Sequence, residues 1–357
     1  MHISWGWIKQ RPQFIAEGLA KDYKVDVFYR MSNHLKKGLN PRFINGNLEV
    51  QGFRDLPLER IPGLPMSFTI LINKLLWRIN TINWKKYDYI WVTDPVIWKI
   101  IKPKRLPSNI KVIYDCMDDY SEFPYMQSHP RYKKYLEQKE ADLLNSANSV
   151  ICSAKSLANK LQQKYGINRK FHIINNAITE EITKYPKNIT DLSIPENSLV
   201  YIGTISEWLD YENLLKLLDK YEELNIVLYG PMRTTNFPTH PRLIFKGTIS
   251  HDKILSVMKQ SMGLIMPFVV TPLIESVNPV KIYEYAYSGK PIIATRYAET
   301  LKFSNYICLY SNFEELSSQV ASILANQVQP DQQKMIDFAL RNTWGKRIDE
   351  IKNILHE

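Results

Sequence analysis

Residues 278–291 read NPVKIYEYAYSGKP, and the fold is legible from this stretch outward. Asn278 is a good N-cap, and Pro279 suits a first helical turn, where its missing N–H costs nothing. Gly289 is a natural stop, with Pro291 just beyond it. The spacing predicts a short helix over Pro279–Ser288 and a buried strand over Pro291–Ala294. Lys281 and Glu284 are three apart, so they share a face near the helix N-terminus. Such a terminus favours phosphate through its unpaired N–H groups and its dipole. A lysine there adds charge, and a carboxylate one turn on accepts both hydroxyls of a ribose. The set suits a nucleoside diphosphate. It also suits an amphipathic helix carrying a solvated Lys–Glu pair.

Around this helix, short apolar strands alternate with helical stretches, the pattern of an α/β fold with parallel sheets. Strands are predicted at His2–Trp5, Val25–Tyr29, Leu48–Gly52, Tyr89–Thr93, Lys111–Asp115, Ser149–Ser153 and His172–Ile174. A second series covers Leu199–Ile205, Asn225–Tyr229, Arg242–Lys246, Gly263–Pro267, Pro291–Ala294 and Ile307–Tyr310. A chain of 357 residues exceeds one typical core and implies two domains. Residues 183–198 are polar, contain proline and lack periodicity, so they are expected to link residues 1–182 to residues 199–335. A final helix over 336–357 is expected to close the chain.

Hydrophobic content of 45% and charged content of 23% are those of an ordinary globular protein. Three widely spaced cysteines give no disulfide framework, which points to a reducing compartment. The seven histidines lack metal-ligand spacing, so no metal is expected. The start, MHISWGW, lacks the basic and apolar regions of a signal peptide, and no apolar run reaches membrane-spanning length. A cytoplasmic location is therefore expected. The net charge of +10 is uneven: residues 1–190 hold 30 Lys/Arg against 17 Asp/Glu, a net +13. That half suits an anionic surface such as phospholipid or a diphosphate-linked lipid, although a generally basic proteome gives the same excess. Nucleic acid is disfavoured because no recognised nucleic-acid motif accompanies the charge. Within residues 64–86, Phe68, Leu71, Leu75, Ile79 and Ile82 recur at helical spacing among Lys and Arg. This helix either lies on a membrane surface or turns its stripe to the core.

There is no GxGxxG after a strand, no GxxxxGK[ST], no GxSxG and no HExxH, which excludes the commonest dehydrogenase, P-loop, esterase and zincin readings. Three loops at strand ends remain, where open α/β sheets bind ligands. In the first, after the opening strand, Gln10 and Arg11 suit a phosphate or carboxylate, or a capping turn. In the second, Asp115-Cys116-Met117-Asp118-Asp119, crowded carboxylates raise one another's pKa and suit a base or hydroxyl anchor, or a helix cap. In the third, Gly203-Thr204 lets backbone approach a phosphate, or forms an ordinary turn. Glu275 and Ser276 precede the key helix, and His129 follows the acidic loop.

With these residues in view, the chain resembles GT-B glycosyltransferases, closest to the family-4-like transferases of bacterial capsule, teichuronic-acid and exopolysaccharide synthesis. The likeness rests on Gln10–Pro12, Tyr114–Tyr120, Gly203–Asp210 and, most specifically, Asn278–Ile293. It implies two Rossmann-like domains facing a cleft, with the last helix crossing back to the first domain. It implies a nucleotide-sugar donor, UDP favoured, bound by Gly203, Thr204, Glu275, Ser276, Asn278, Pro279, Val280, Lys281 and Glu284. In the family the residue matching Glu284 binds the donor ribose. The acceptor is expected to be a saccharide or a polyprenyl-diphosphate-linked saccharide near Gln10, Arg11 and His129, at the inner face of the membrane. Asp118 and Asp119 are the catalytic candidates. The resemblance implies retention without a cofactor; with inversion, Asp118 is the base. The family carries two glutamates eight apart, whereas Ser276 stands eight before Glu284 and Glu275 is one position off. A nucleotide-sugar epimerase and a non-catalytic assembly subunit are the other classes open to this sequence.

Overall fold

The computed structural model describes residues 5, 9–31, 42–53, 64–65, 68–69, 71–73, 75, 82–186 and 193–357. The chain divides into two compact units, Met1–Asn175 with Glu350–Glu357, and Asn176–Asp349. Both are α/β.

In the first unit, α1 (Arg11–Leu19) leads to β1 (Val25–Arg30), β2 (Arg42–Asn45) and β3 (Leu48–Phe53). These strands form one sheet in the order β1-β3-β2, with β2 antiparallel. β2 was not among the expected strands; its hairpin to β3 turns at Asn45-Gly46, where Gly46 adopts φ 57°, a turn conformation glycine reaches without strain. A parallel sheet follows in the order β4 (Tyr89–Val92), β5 (Lys111–Cys116), β6 (Ser149–Cys152) and β7 (His172–Ile173). Asp94 caps α2 (Pro95–Ile101) by accepting from Val96 N and Ile97 N, at 2.8 and 2.9 Å. Helices α3 (Pro130–Ser146) and α4 (Lys155–Tyr165) complete the unit, α4 ending at Gly166 with φ 62°. The expected strand at His2–Trp5 lies outside the described residues apart from Trp5.

The second unit holds six parallel strands: β8 (Ser198–Ile202), β9 (Asn225–Tyr229), β10 (Leu243–Gly247), β11 (Gly263–Met266), β12 (Ile292–Thr295) and β13 (Cys308–Tyr310). Their order is β10-β9-β8-β11-β12-β13. The chain thus builds outward from β8 in one direction and then, from β11, in the other. Such a sheet is covered on both faces, which explains why Leu199–Ile202 and Leu264–Met266 are continuous apolar runs rather than alternating ones. One core gathers Val200, Ile202, Leu264, Ile282 and Ala294, and the other Leu199, Tyr201, Leu217, Ile226 and Ile265. The covering helices are α5 (Tyr211–Lys220), α6 (Ile254–Gln260), α7 (Val280–Ser288), α8 (Phe313–Leu324) and α9 (Gln332–Arg341).

Two expected boundaries move. The second unit starts at Asn176, ahead of the expected limit at 182, because Ile178 and Ile182 are buried in its core and Ile178 bridges to Thr343. Residues 180–184 form a 3-10 turn, and 187–192 of the expected linker lie outside the described residues. The expected single closing helix is also two helices. α9 packs Met335 and Ala339 into the second unit, and Phe338 stacks on Tyr306 with centroids 4.2 Å apart. After a break at Asn342-Thr343, α10 (Trp344–His356) starts in the second unit with buried Trp344. Only its end, from Glu350, joins the first, where Tyr89 OH donates to Leu355 O at 2.8 Å.

Candidate functional site

In the second unit the strand order reverses between β8 and β11, the switch point where open α/β sheets bind ligands. The loops after β8, β9 and β11 are bound into one rim. Gly203 N donates to Tyr229 O at 2.9 Å, Ile205 N to Pro231 O at 3.0 Å, and Asp210 N to Pro267 O at 2.9 Å. Backbone meets backbone closely here: a Cβ on Gly230, at φ 141°, would stand 1.8 Å from Gly203 O. Thr204 O accepts from Tyr201 OH at 3.0 Å. The rim is rigid backbone made possible by small residues, as a phosphate-facing loop requires.

Helix α7 rises from the β11 loop. Its first turn has no side-chain cap, so no side chain of the protein claims its N–H groups, although Ile282 N donates to Pro279 O at 3.2 Å. Pro279 occupies the cap position and Val280 begins the helix. Asn278, expected to be the cap, does not cap. It is buried and takes the other direction: its Oδ1 accepts from Asn176 N and its carbonyl from Asn176 Nδ2, both at 2.9 Å. Lys281 Nζ donates to Glu284 Oε2 at 2.8 Å, so the predicted pair forms. Glu284 is buried, which by itself would raise its pKa. The Lys281 and His251 charges outweigh burial and hold it down at about 2. The two residues at the family's acid position differ in their surroundings. Ser276 is buried and donates to Pro272 O at 3.3 Å, while Glu275 is exposed on the same 3-10 turn.

In the first unit, β5 delivers Asp115, and the run to Asp119 follows. Arg11 is buried, and Nε and Nη2 donate to Asp115 Oδ1 at 3.0 and 2.8 Å, while Nη1 donates to Ile174 O at 2.6 Å. The fork of Arg11, expected to meet a phosphate, is closed here by a buried carboxylate and a carbonyl. Gln10 opens α1, its N–H donating to Gln13 Oε1 at 2.9 Å. Asp119 is engaged by the protein as well. It caps a 3-10 turn by accepting from Ser121 N and Oγ, and Lys160 Nζ lies 2.7 Å from its Oδ2. His129 opens α3, stacks on Tyr125 with centroids 4.0 Å apart, and holds Nδ1 2.9 Å from Tyr125 O.

Asp118 differs from its neighbours. Its side chain keeps some exposure. Burial pushes its pKa up to about 7 from 3.8, Arg11 pulls against this, and Asp119 and Asp115 add to it. The folded form thus holds a proton that the unfolded chain releases, and ionising Asp118 costs stability as pH rises from about 4 to about 7. Asp118→Asn escapes that cost. The difference in thermal midpoint between variant and wild type should grow in the variant's favour from pH 4 to 7 and level off above. A difference independent of pH would refute the raised pKa.

No protein-family model matches the chain. It shares 26% identity over 207 residues with TuaH of Bacillus subtilis, named as a glycosyltransferase of teichuronic acid biosynthesis. The match covers 54% of this chain and 52% of that one, so the chain spans about half the length of the curated relative it matches. Among solved structures, sucrose-phosphate synthase from Thermosynechococcus elongatus superposes with a TM-score of 0.75 at 13% identity, covering 97% of this chain and 92% of that one. HepE from Anabaena, in complex with UDP and glucose, gives 0.68 at 15%, covering 98% and 97%. The chain adopts the GT-B glycosyltransferase fold. Among the described residues of this GT-B chain, no cluster of three or more His, Cys, Asp or Glu is arranged to hold a metal ion.

Two further residues stand beside Glu284 without any local signal in the chain. His251 Nε2 lies 3.7 Å from Glu284 Oε1, too long for a direct hydrogen bond but close enough for attraction. Tyr185 OH stands 2.8 Å from His251 Nδ1, with the rings edge to face at 5.5 Å. Tyr185 thus fixes the ring through Nδ1, and Nε2 faces the carboxylate. His251 opens a 3-10 turn after β10 and reads in sequence as an ordinary helix start. Nothing local marks it as a neighbour of α7.

Proposed function

We propose that this chain transfers a sugar from a nucleoside-diphosphate sugar, UDP favoured, to a saccharide acceptor carried on a lipid diphosphate. The observation that carries this reading is the uncapped start of α7 beside the Lys281–Glu284 pair, at the switch point of the second unit's sheet. The diphosphate meets the free N–H groups of α7 and the Lys281 ammonium, and the ribose hydroxyls donate to Glu284. Leaving-group charge is then stabilised by the helix dipole and Lys281, without a metal. The likeness to TuaH supports a place in bacterial surface polysaccharide synthesis. The basic first half supports work at the inner face of an anionic membrane. Retention follows the family resemblance.

Asp118 favours one alternative. A partly exposed carboxyl with a pKa of about 7 is tuned as a general base near neutral pH, which an inverting transfer needs. Nuclear magnetic resonance of the product's anomeric centre decides between the two. Retention together with near-normal kcat in Asp118→Asn supports the first reading, and inversion with a collapsed kcat supports the second.

His251 acts here through Glu284. Loss of an attraction of this type is worth about 0.2–1 kcal/mol, or up to roughly fivefold. His251→Ala should therefore raise the donor KM by that factor and leave kcat within about twofold. A fall in kcat with unchanged KM would exclude this role.

A further inference from the structure

Helical residues 68–69, 71–73 and 75 turn the usual packing inside out. Phe68, Leu71 and Leu75 are 49, 55 and 51% exposed, while Thr69 and Asn73 are 4 and 2% exposed. Steps of three and four put the apolar three on one face, and the polar two fall on the opposite side. A helix at the surface of a water-soluble unit does the reverse, with its apolar stripe turned to the core. Of the stripe expected from sequence, Phe68, Leu71 and Leu75 point outward, Ile79 lies outside the described residues, and Ile82 stands outside any helix and packs against the core of Val96, Ile97 and Leu136.

The surrounding chemistry names what meets them. Residues 64–86 carry Lys74, Arg78, Lys85 and Lys86 and no acidic residue, within a half of the chain whose net charge is +13. Apolar side chains that face out, in a stretch of purely positive charge, match a surface that is oily beneath and anionic above. No helix among the described residues is long and apolar enough to span a bilayer, so the fitting geometry is a helix lying in the interface. We infer that this helix seats the first unit on an anionic lipid surface by inserting Phe68, Leu71 and Leu75 between the headgroups. The inference names the element behind the membrane contact proposed above; it does not depend on the sugar-transfer reading.

The test uses the full chain and a variant carrying Phe68→Gln, Leu71→Gln and Leu75→Gln, which keeps helix propensity while removing the apolar stripe. Each is sedimented with vesicles of phosphatidylcholine, alone or with an equal part of phosphatidylglycerol. The wild type should sediment with the anionic vesicles and far less with neutral ones. The variant's partition coefficient should fall by about a hundredfold or more, since three large side chains no longer leave water. Its thermal midpoint should match the wild type's, because the replaced side chains are exposed. Equal partition of variant and wild type would overturn the inference and leave another surface as the anchor. Equal wild-type binding to neutral vesicles, or no binding at all, would overturn it too, and a lowered midpoint would mean that the stripe packs inside. A wild type that ignores vesicles yet is stabilised by a nucleotide would sink this inference alone and leave the transferase reading standing.

Discussion

Arg11→Ala should lower the stability of the first unit by about 3–5 kcal/mol, the usual cost of removing one partner of a buried ion pair. The guanidinium and the Asp115 carboxylate are both buried, and they are joined by Nε and Nη2 together. Truncation leaves the Asp115 carboxylate in the interior with Trp91 Nε1, at 3.3 Å, as the one remaining side-chain donor among the described residues. It also strips Ile174 O of its partner, so α1, β5 and the segment after β7 lose their common tie. Arg11→Lys should recover little, because a lysine lacks the planar fork that spans two donors to one carboxylate. For a unit of this size the loss corresponds to roughly 6–20 °C in the midpoint of its transition. An arginine kept for a ligand would behave differently, since surface substitutions usually stay within about 0.5 kcal/mol. Differential scanning calorimetry of the two variants separates the cases.

Glu284→Gln should reduce kcat/KM for the donor by about ten- to a hundredfold. The ribose hydroxyls would lose a charged acceptor worth about 1.5–3 kcal/mol. Lys281 would lose the partner that holds it beside the diphosphate. The same change should cost about 2–3 kcal/mol of stability at pH 7. The folded pKa of Glu284, about 2, lies below its ordinary value of 4.5. Its contribution is therefore fully present above pH 4.5 and disappears as pH falls toward 2. The stability gap between wild type and variant should close over that window. A gap that persists unchanged at pH 2.5 would mean that packing, not charge, holds Glu284.

Much of this was legible in the chain because the relevant signals are local. Gly289 ends α7 at φ 72°, as its place before Lys290-Pro291 suggested. Lys281 and Glu284 meet because helical spacing alone brings them together. The short continuous apolar runs at Leu199 and Leu264 read as strands, and the sheet buries them on both faces. What failed to show was set by distant partners. Asn278 has the composition of a cap, but Asn176 claims it. Arg11 and Asp119 stand in loops of the right kind, yet residues far along the chain, Ile174 and Lys160, help fix them as structural. Polarity alone marked residues 183–198 as a linker, while the unit boundary was decided earlier by where Ile178 is buried. His251 and Tyr185 reach Glu284 only through tertiary packing, which no window of sequence contains.

The most direct test of the central claim is thermal stabilisation of the wild type and of Glu284→Gln by UDP, GDP, CDP and dTDP. At a hundred times its dissociation constant, a bound nucleotide adds about 2.7 kcal/mol to stability. The account predicts that one of the four, UDP foremost, raises the wild-type midpoint, and that Glu284→Gln loses most of that rise. If none of the four moves the wild type, the nucleotide site at α7 does not exist and the proposed function falls with it.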